Sequence, residues 1–512
     1  MVFQSILFRG SENFIKKETL REPDYFVDLN LNQIINSITV GKDEYDLKPF
    51  FYASLNNIND IKYRHEIMQD LENPILLEDL KKFAEAMRKI RQQLTKSEKL
   101  SYKYQKERWF LEAMEIYCDA IELLKSNLSN VSIKSQGFIS FREYLANYVQ
   151  SGRFTMLVSE TNKIITNLAS IQYCVHFRGL RVQVRNLKSE TNYNEQIEAT
   201  FAKFKNESVK DYRADYSGDP MDMNRVEAQI LDGVAFLYPE IFLHLDAFFV
   251  ENQNYLDETI AIFDRQIQFY IAYLDYVEIF RKEGLKFCYP QITKDSKEVY
   301  CYDGYDLALA HKLITDKSPV VVNNFYLKDK ERIIVVSGPN QGGKTTFART
   351  FGQLHHVSPI GCPVPGGKAQ LFLFDKLFTH FEKEENIKNL RGKLQDELVR
   401  IHSILDHATA DSIIIMNEIF TSTALQDQIY LSKKILRKII DLDSLGLWVT
   451  FIEELASYSE KTVSMVSTVV PDNPAERTYK ILRGPADGLA YALSIAEKYG
   501  LTYNSLKERL KL

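Results

Sequence analysis

Cysteine is scarce in this chain, and the five present (Cys118, Cys174, Cys288, Cys301 and Cys362) never fall at CxxC spacing. Neither a zinc ribbon nor a disulfide framework is indicated, and a reducing, intracellular compartment is the natural reading. No uninterrupted apolar run is long enough to span a bilayer, and "MVFQSILFRGSENF" lacks a basic n-region ahead of a long apolar core. No membrane association is expected, and the location expected is cytoplasmic. Surplus basic charge is missing too: 64 Lys and Arg against 69 Asp and Glu give a net charge of −5. That excludes a global pull toward nucleic acid but not a local basic face. Helix breakers are few, with 14 Pro and 21 Gly in 512 residues, which favours helices, often long ones. The length itself exceeds one ordinary domain, so two to four units are expected.

What is present in the first 300 residues is mostly helical periodicity. "NPILLEDLKKFAEAMRKIRQQL", "KERWFLEAMEIYCDAIELLKSNL" and "NYLDETIAIFDRQIQFYIAYLDYVEIFRKEG" all place apolar residues three and four apart. The last runs about 30 residues without Gly or Pro, which at about 1.5 Å per residue exceeds 40 Å and suits an arm or lever. One piece breaks the pattern. "QYCVHFRGLRVQV" alternates on both sides of Arg178-Gly179 and reads as a β-hairpin. Tyr173, Val175, Phe177, Leu180, Val182 and Val184 fall on one face, and His176, Arg178, Arg181 and Arg185 on the other. The polar face is either simply solvated or a phosphate-contacting ribbon. Residues 203–224 read as a polar connecting loop. From about residue 287 strand-like and helical pieces alternate, marking a C-terminal α/β domain.

The strongest signal is "RIIVVSGPNQGGKTTFARTFGQL". It has the form GxxxxGK[ST], preceded by a β-branched strand and followed by a helical pattern. Gly338, Pro339, Asn340, Gln341, Gly342 and Gly343 would form the loop around the phosphates of ATP, with the backbone N–H groups of all but Pro339 available to turn inward and Thr346 in the first helical turn. Lys344 would reach the β/γ-phosphates, and the Thr345 hydroxyl would ligate Mg²⁺. "SIIIMNEIF" supplies the second half of such a site. Asn417 stands where an Asp helps hold Mg²⁺; its carbonyl oxygen can accept a hydrogen bond from a metal-bound water, but the negative charge is lost. Glu418 keeps the carboxylate that orients or deprotonates the attacking water. Slow hydrolysis, rather than none, is expected.

These residues resemble the MutS family of DNA mismatch-repair ATPases, whose phosphate loop typically reads GPNMGGKST. "GCPVPGGKAQLFLFDKLFTHF", "NEIFTSTALQDQ" (keeping Glu418, Thr423 and Asp427) and "RTYKILRGPADGLAYALSIAEKYGL" are similar to further family segments. "FFYASLNNINDIKYRHEIMQDL" is similar to the family's core segment, so the likeness runs over roughly residues 45–512, most strongly after 330. It implies an α plus α/β architecture: a helical core and lever domain over 46–286 with a small clamp ribbon near 172–186, then an ABC-type P-loop ATPase domain over 287–512 ending in dimerisation helices. Residues 1–45 stay unassigned. It also implies a homodimer that embraces DNA, non-specifically or at branched structures, and is switched by ATP.

Departures from the family are equally informative. The magnesium Asp is Asn417, and the switch His of "ATHxxEL" aligns with Phe451. The Ser-Thr that reaches the partner's nucleotide has no clear match near Gly392. No room is seen for the mismatch-reading domain, nor for a C-terminal Smr extension. Two functions are therefore carried forward: an ATP-switched clamp on DNA that does not read mismatches directly, or a nucleotide-switched scaffold for a protein partner without DNA. A small-molecule kinase would leave the levers without a role. Among lesser candidates, His355-His356 read as surface or satisfied histidines, and the aromatic run "FLYPEIFLHLDAFF" as helix-packing core. Asn324-Phe325 reads as an adenine contact or a plain strand start, and "SLKERLKL" as a solvated helix face.

Overall fold

The computed structural model describes residues 3–10, 21–179, 181–187, 200, 223–382, 392–470, 473–486, 501, 503, 507 and 509. Outside these lie Leu180, most of the loop at 203–224, and nearly all of the C-terminal segment assigned to dimerisation and to "SLKERLKL". The chain divides into two units. One comprises residues 1–3, 72–133 and 138–264; the other comprises 4–71, 134–137 and 265–512. A division at 45/46 and 286/287, drawn from sequence texture, groups residues 46–71 and 265–286 differently. Here they belong with the second unit, together with residues 287–512.

The first unit is helical. Asn73 caps Pro74–Lys99 by accepting from the Ile75 N–H, and Lys103–Asn130 packs along that helix. Gln136–Val149 (from Phe138 on), Gly152–Ala169, Arg225–Leu237 and Pro239–Glu251 add to it, with a hairpin of Tyr173–Arg178 and Arg181–Asn186. In the aromatic run, Phe242, Leu245 and Phe248 of Pro239–Glu251 are buried while Leu243 is exposed, so one face of that helix supplies core and the other does not. The third long pattern becomes Glu258–Lys282, 25 residues or about 38 Å at the usual rise, short of the length expected. Its start is trimmed because the Asp257 carboxylate accepts from the Ile260 N–H and caps the helix there. Among the described residues no single helix is long and apolar enough to cross a membrane.

The second unit is built on a six-stranded sheet in the order Leu377–Phe381, Ile413–Asn417, Leu445–Val449, Ile333–Ser337, Thr462–Val470, Asn473–Arg483. The first five strands are parallel and the last is antiparallel. Strands covered on both faces must be apolar throughout, which is why "IIIM" and "IIVV" read as unbroken runs. Ile333, Val335, Ile414, Met416 and Trp448 pack on one face with Ile401, Ile404, Leu436 and Ile439 from helices Lys393–His407 and Leu425–Asp441. Helix Lys344–Val357 lies on the opposite face. There a Cβ at Gly352 would come within 2.6 Å of Leu29 and 2.9 Å of Ile415, so glycine permits the close packing. A smaller four-stranded sheet contributes Phe325, which packs on Phe347 and Phe351 of the same helix.

Part of the N-terminal stretch left unassigned by sequence supports this helix directly. Arg349 Nε donates to the Asp28 carbonyl and Gln353 Nε2 to the Leu29 carbonyl. His356 Nε2 donates to the Phe51 carbonyl, so its Nδ1 accepts from the Tyr25 hydroxyl. His355 and His356 are thus both buried rather than at the surface, and His356 has a partner at each ring nitrogen.

Candidate nucleotide site

After the buried strand Ile333–Ser337 the chain turns sharply, with Gly338 at φ 113°, Gln341 at 59° and Gly343 at 90°. Two glycines of the loop, Gly338 and Gly342, answer to Ser467 on the neighbouring strand. A Cβ at Gly342 would meet Ser467 Oγ at 2.2 Å, and one at Gly338 would meet the Ser467 carbonyl at 2.8 Å. Ser467 Oγ donates to the Gly342 carbonyl at 2.6 Å, pinning the loop to the sheet. The Asn340 carbonyl accepts from Arg477 Nε at 3.2 Å. Gly343 then caps Lys344–Val357, whose leading amides have no intrahelical acceptor and whose macrodipole favours an anion.

Lys344 is only 4% exposed. Its Nζ donates to the carbonyls of Gly338 at 3.0 Å and Pro339 at 2.9 Å, and lies 3.8 Å from Glu418 Oε1. Burial lowers the pKa of this ammonium, and the Glu418 carboxylate opposes that shift. Thr345 Oγ1 donates to Asn417 Oδ1 at 3.1 Å. The strand carrying Asn417 is separated from the loop strand by Leu445–Val449, so the fold gathers three strand ends at one edge.

Glu418 adopts φ 50° and its N–H donates to the Val449 carbonyl at 3.0 Å. The turn beyond is braced twice: the Phe420 N–H donates to Glu397 Oε2 at 3.0 Å, and Gln428 Nε2 to the Ile419 carbonyl at 3.1 Å. Burial raises the Glu397 pKa, and the Phe420 N–H counters it. Phe451, one residue past Thr450 at the end of the intervening strand, completes the cluster with its ring centroid 4.3 Å from Lys344 Nζ. Gly392 is the N-cap of Lys393–His407, with open space around it; residue 391 and those back to 383 lie outside the described residues.

Beside the loop lies a pocket of about 410 Å³ lined by Leu309, Pro319, Val321 and Phe347, with Gly343, Thr346 and Tyr479 at its loop end. Tyr479 sits at φ 57°, held by Asn323, whose Nδ2 donates to the Tyr479 carbonyl and whose Oδ1 accepts from the Ile481 N–H. Tyr479, Asn323 and Ser467 were not legible as site residues, because their connection to the loop is made across strands and leaves no spacing signal. Of the pair considered for adenine, Phe325 is buried core and Asn324 accepts from the Asp303 N–H. Both lie in the strand Asn323–Leu327.

The hairpin in the helical unit has the expected pairing, with Val175 opposite Val184, Phe177 opposite Val182 and Arg178 opposite Arg181. His176, Arg178, Arg181 and Arg185 therefore share a face. Arg178, Arg181 and Arg185 are exposed, and Arg185 donates to Gln183 Oε1.

This donor set fits a nucleoside triphosphate with Mg²⁺. Uncommitted amides at a helix start, a buried ammonium and the touching Thr345–Asn417 pair are oxygen and N–H chemistry suited to phosphates and a hard cation. Among the described residues no cluster of three or more His, Cys, Asp or Glu could hold a metal by itself, so phosphate oxygens and waters would complete its shell. Residues 334–508 match the family model described as MutS domain V. A DNA mismatch repair protein MutS from Orientia tsutsugamushi is 30% identical over 221 residues, 42% of this chain and 24% of that protein. Proteins named endonuclease MutS2 from Thermomicrobium roseum and Thermus thermophilus are each 29% identical, over 197 and 206 residues. Those matches take in 38% and 40% of this chain, and 25% and 27% of the relatives. The chain thus matches about a quarter of the length of these relatives.

Proposed function

The chain is a MutS-family protein through its domain V, residues 334–508, and from that premise we propose that it is a slow ATPase acting as an ATP-switched homodimeric clamp on DNA, without direct mismatch reading. The observation that carries the ATPase reading is the meeting of Lys344, Thr345, Asn417 and Glu418 at one sheet edge. Gly338–Gly343 and the start of the following helix would cradle the phosphates, and Thr345, with Asn417 through water, would hold Mg²⁺. When bound, the metal neutralises charge on the β- and γ-phosphates.

Lys344 supplies positive charge from a site that excludes water. Glu418 Oε1 accepts a proton from the attacking water, and the brace on the turn beyond it keeps the carboxylate oriented. Asn417 contributes no charge, and Phe451 cannot exchange a proton. Both limit turnover without removing a phosphate-binding group. The apolar pocket capped by Tyr479 is suited to the base. Arg178, Arg181 and Arg185 would meet DNA phosphates, and His176 would add charge only when protonated.

Steady-state hydrolysis with Mg²⁺, with and without DNA, tests the reading against Glu418→Gln. Turnover that rises with DNA and drops about 100-fold or more in the variant, with ATP still bound, is the expected result. Tight ATP binding with turnover no faster than the variant would overturn the ATPase assignment. Replacing Arg178, Arg181 and Arg185 together should weaken DNA binding and flatten its salt dependence. Undiminished DNA affinity would remove the clamp assignment, and absence of DNA binding in the parent protein would favour the protein scaffold.

A further inference from the structure

The hairpin has an anchored root and an unusual tip. At the root, Val184 packs on Gly233, where a Cβ would come within 3.0 Å, and the Tyr238 hydroxyl donates to the Gln172 carbonyl at 2.5 Å. Toward the turn, support ends: Phe177 is 70% exposed and its cross-strand partner Val182 is 39% exposed. The next pair outward is Arg178 opposite Arg181, both exposed, with Gly179 at φ 61° beginning the turn. Scattered exposed apolar residues need no explanation. An aromatic and a β-branched residue paired at a ribbon tip, with two arginines one position further out, are different. They offer an apolar pair on one face of the ribbon and, one position further out on the opposite face, two arginines that straddle the tip.

We infer that this tip is a stacking platform for unpaired DNA bases, with Phe177 and Val182 against a base and Arg178 and Arg181 on the adjoining phosphates. The inference rests on the DNA-clamp reading and deepens it by naming the substrate class. A blunt duplex hides its base faces within the stack, whereas gaps, branches and single-stranded ends expose them. A base has a π-face whatever its identity, so aromatic stacking is tolerant of sequence, and arginines track the backbone. Charge complementarity selects a polyanion over an apolar protein surface, which would leave both guanidinium groups without partners.

The test uses the full chain, with a blunt duplex and the same duplex carrying a single-stranded gap that contains 2-aminopurine. The parent protein should bind the gapped DNA more tightly and change the fluorescence of 2-aminopurine. Phe177→Ala should weaken gapped binding about 5- to 100-fold, abolish the fluorescence change and leave duplex binding unaltered, while Phe177→Trp retains all three. Because Phe177 is exposed, an unchanged melting temperature would confirm that folding is intact. Equal loss on both DNAs, or an unaltered fluorescence change in Phe177→Ala, would overturn the platform while leaving the clamp standing. Failure of the parent protein to bind either DNA would remove the clamp reading, and the platform with it.

Discussion

The ammonium of Lys344 lies 4.3 Å from the ring centroid of Phe451, and 3.8 Å from the carboxylate of Glu418. The phosphate-loop lysine is therefore held by a ring quadrupole, two loop carbonyls and one acid. A ring contact of this kind contributes about 0.5–2 kcal/mol. For Lys344 to reach a phosphate, that placement has to be exchanged. Phe451→Leu keeps the bulk and removes the quadrupole, so ATP affinity should rise by about 2- to 30-fold. Titration with a fluorescent nucleotide measures it, and an unchanged Kd would show that the ring contact persists with nucleotide bound.

Asn417→Asp restores a charge next to Thr345 Oγ1 in a site only 7% exposed. A buried carboxylate without a cation is costly. The variant should melt lower than the parent without Mg²⁺ and regain stability as Mg²⁺ is added. A charge-assisted contact gains about 1.5–3 kcal/mol, so half-maximal hydrolysis should need roughly tenfold less Mg²⁺ or lower still. An unshifted Mg²⁺ titration would exclude position 417 from the metal's surroundings.

Glu397 supports the turn after Glu418 through the Phe420 N–H. Glu397→Ala leaves that buried donor without its acceptor, at a cost of about 1–3 kcal/mol. Glu397→Gln keeps a carbonyl in place and should lose less. Both thermal melting and turnover should follow the order parent, Gln, Ala. Equal turnover in all three would show that the brace does not position Glu418.

Acid should destabilise the second unit before carboxylate titration begins. Burial holds His65, His355 and His356 at about 4, against 6.5 for a free imidazole. Between those values the unfolded chain binds more protons than the folded one, so stability is complete above about 6.5 and declines as pH falls toward 4. Each unit of separation corresponds to about 1.4 kcal/mol per ring. Urea unfolding across that range should show the decline, and His355→Gln with His356→Gln should flatten it if both variants fold.

The phosphate loop and the Asn417–Glu418 strand end were legible because each is a local sequence of backbone torsions and side-chain types. A turn that needs positive φ requires Gly338 and Gly343, a doubly covered strand requires "IIIM", and both announce themselves within ten residues. Hairpin pairing was legible for the same reason, since alternation sets which side chains share a face. Local pattern set neither the length of Glu258–Lys282, which Asp257 trims, nor the reach of the N-terminal stretch.

What the tertiary structure alone decided is contact between residues remote in sequence. Ser467 requires Gly342 to be a glycine, Tyr479 closes the apolar pocket, Phe451 holds Lys344, and Asp28 and Leu29 tie down the phosphate-loop helix. Parallel strands make these meetings by crossover, so their neighbours are set by sheet order rather than by chain distance. The sequence by itself determined which chemistry the loop could perform. The order of strands in the sheet decided which side chains restrain it.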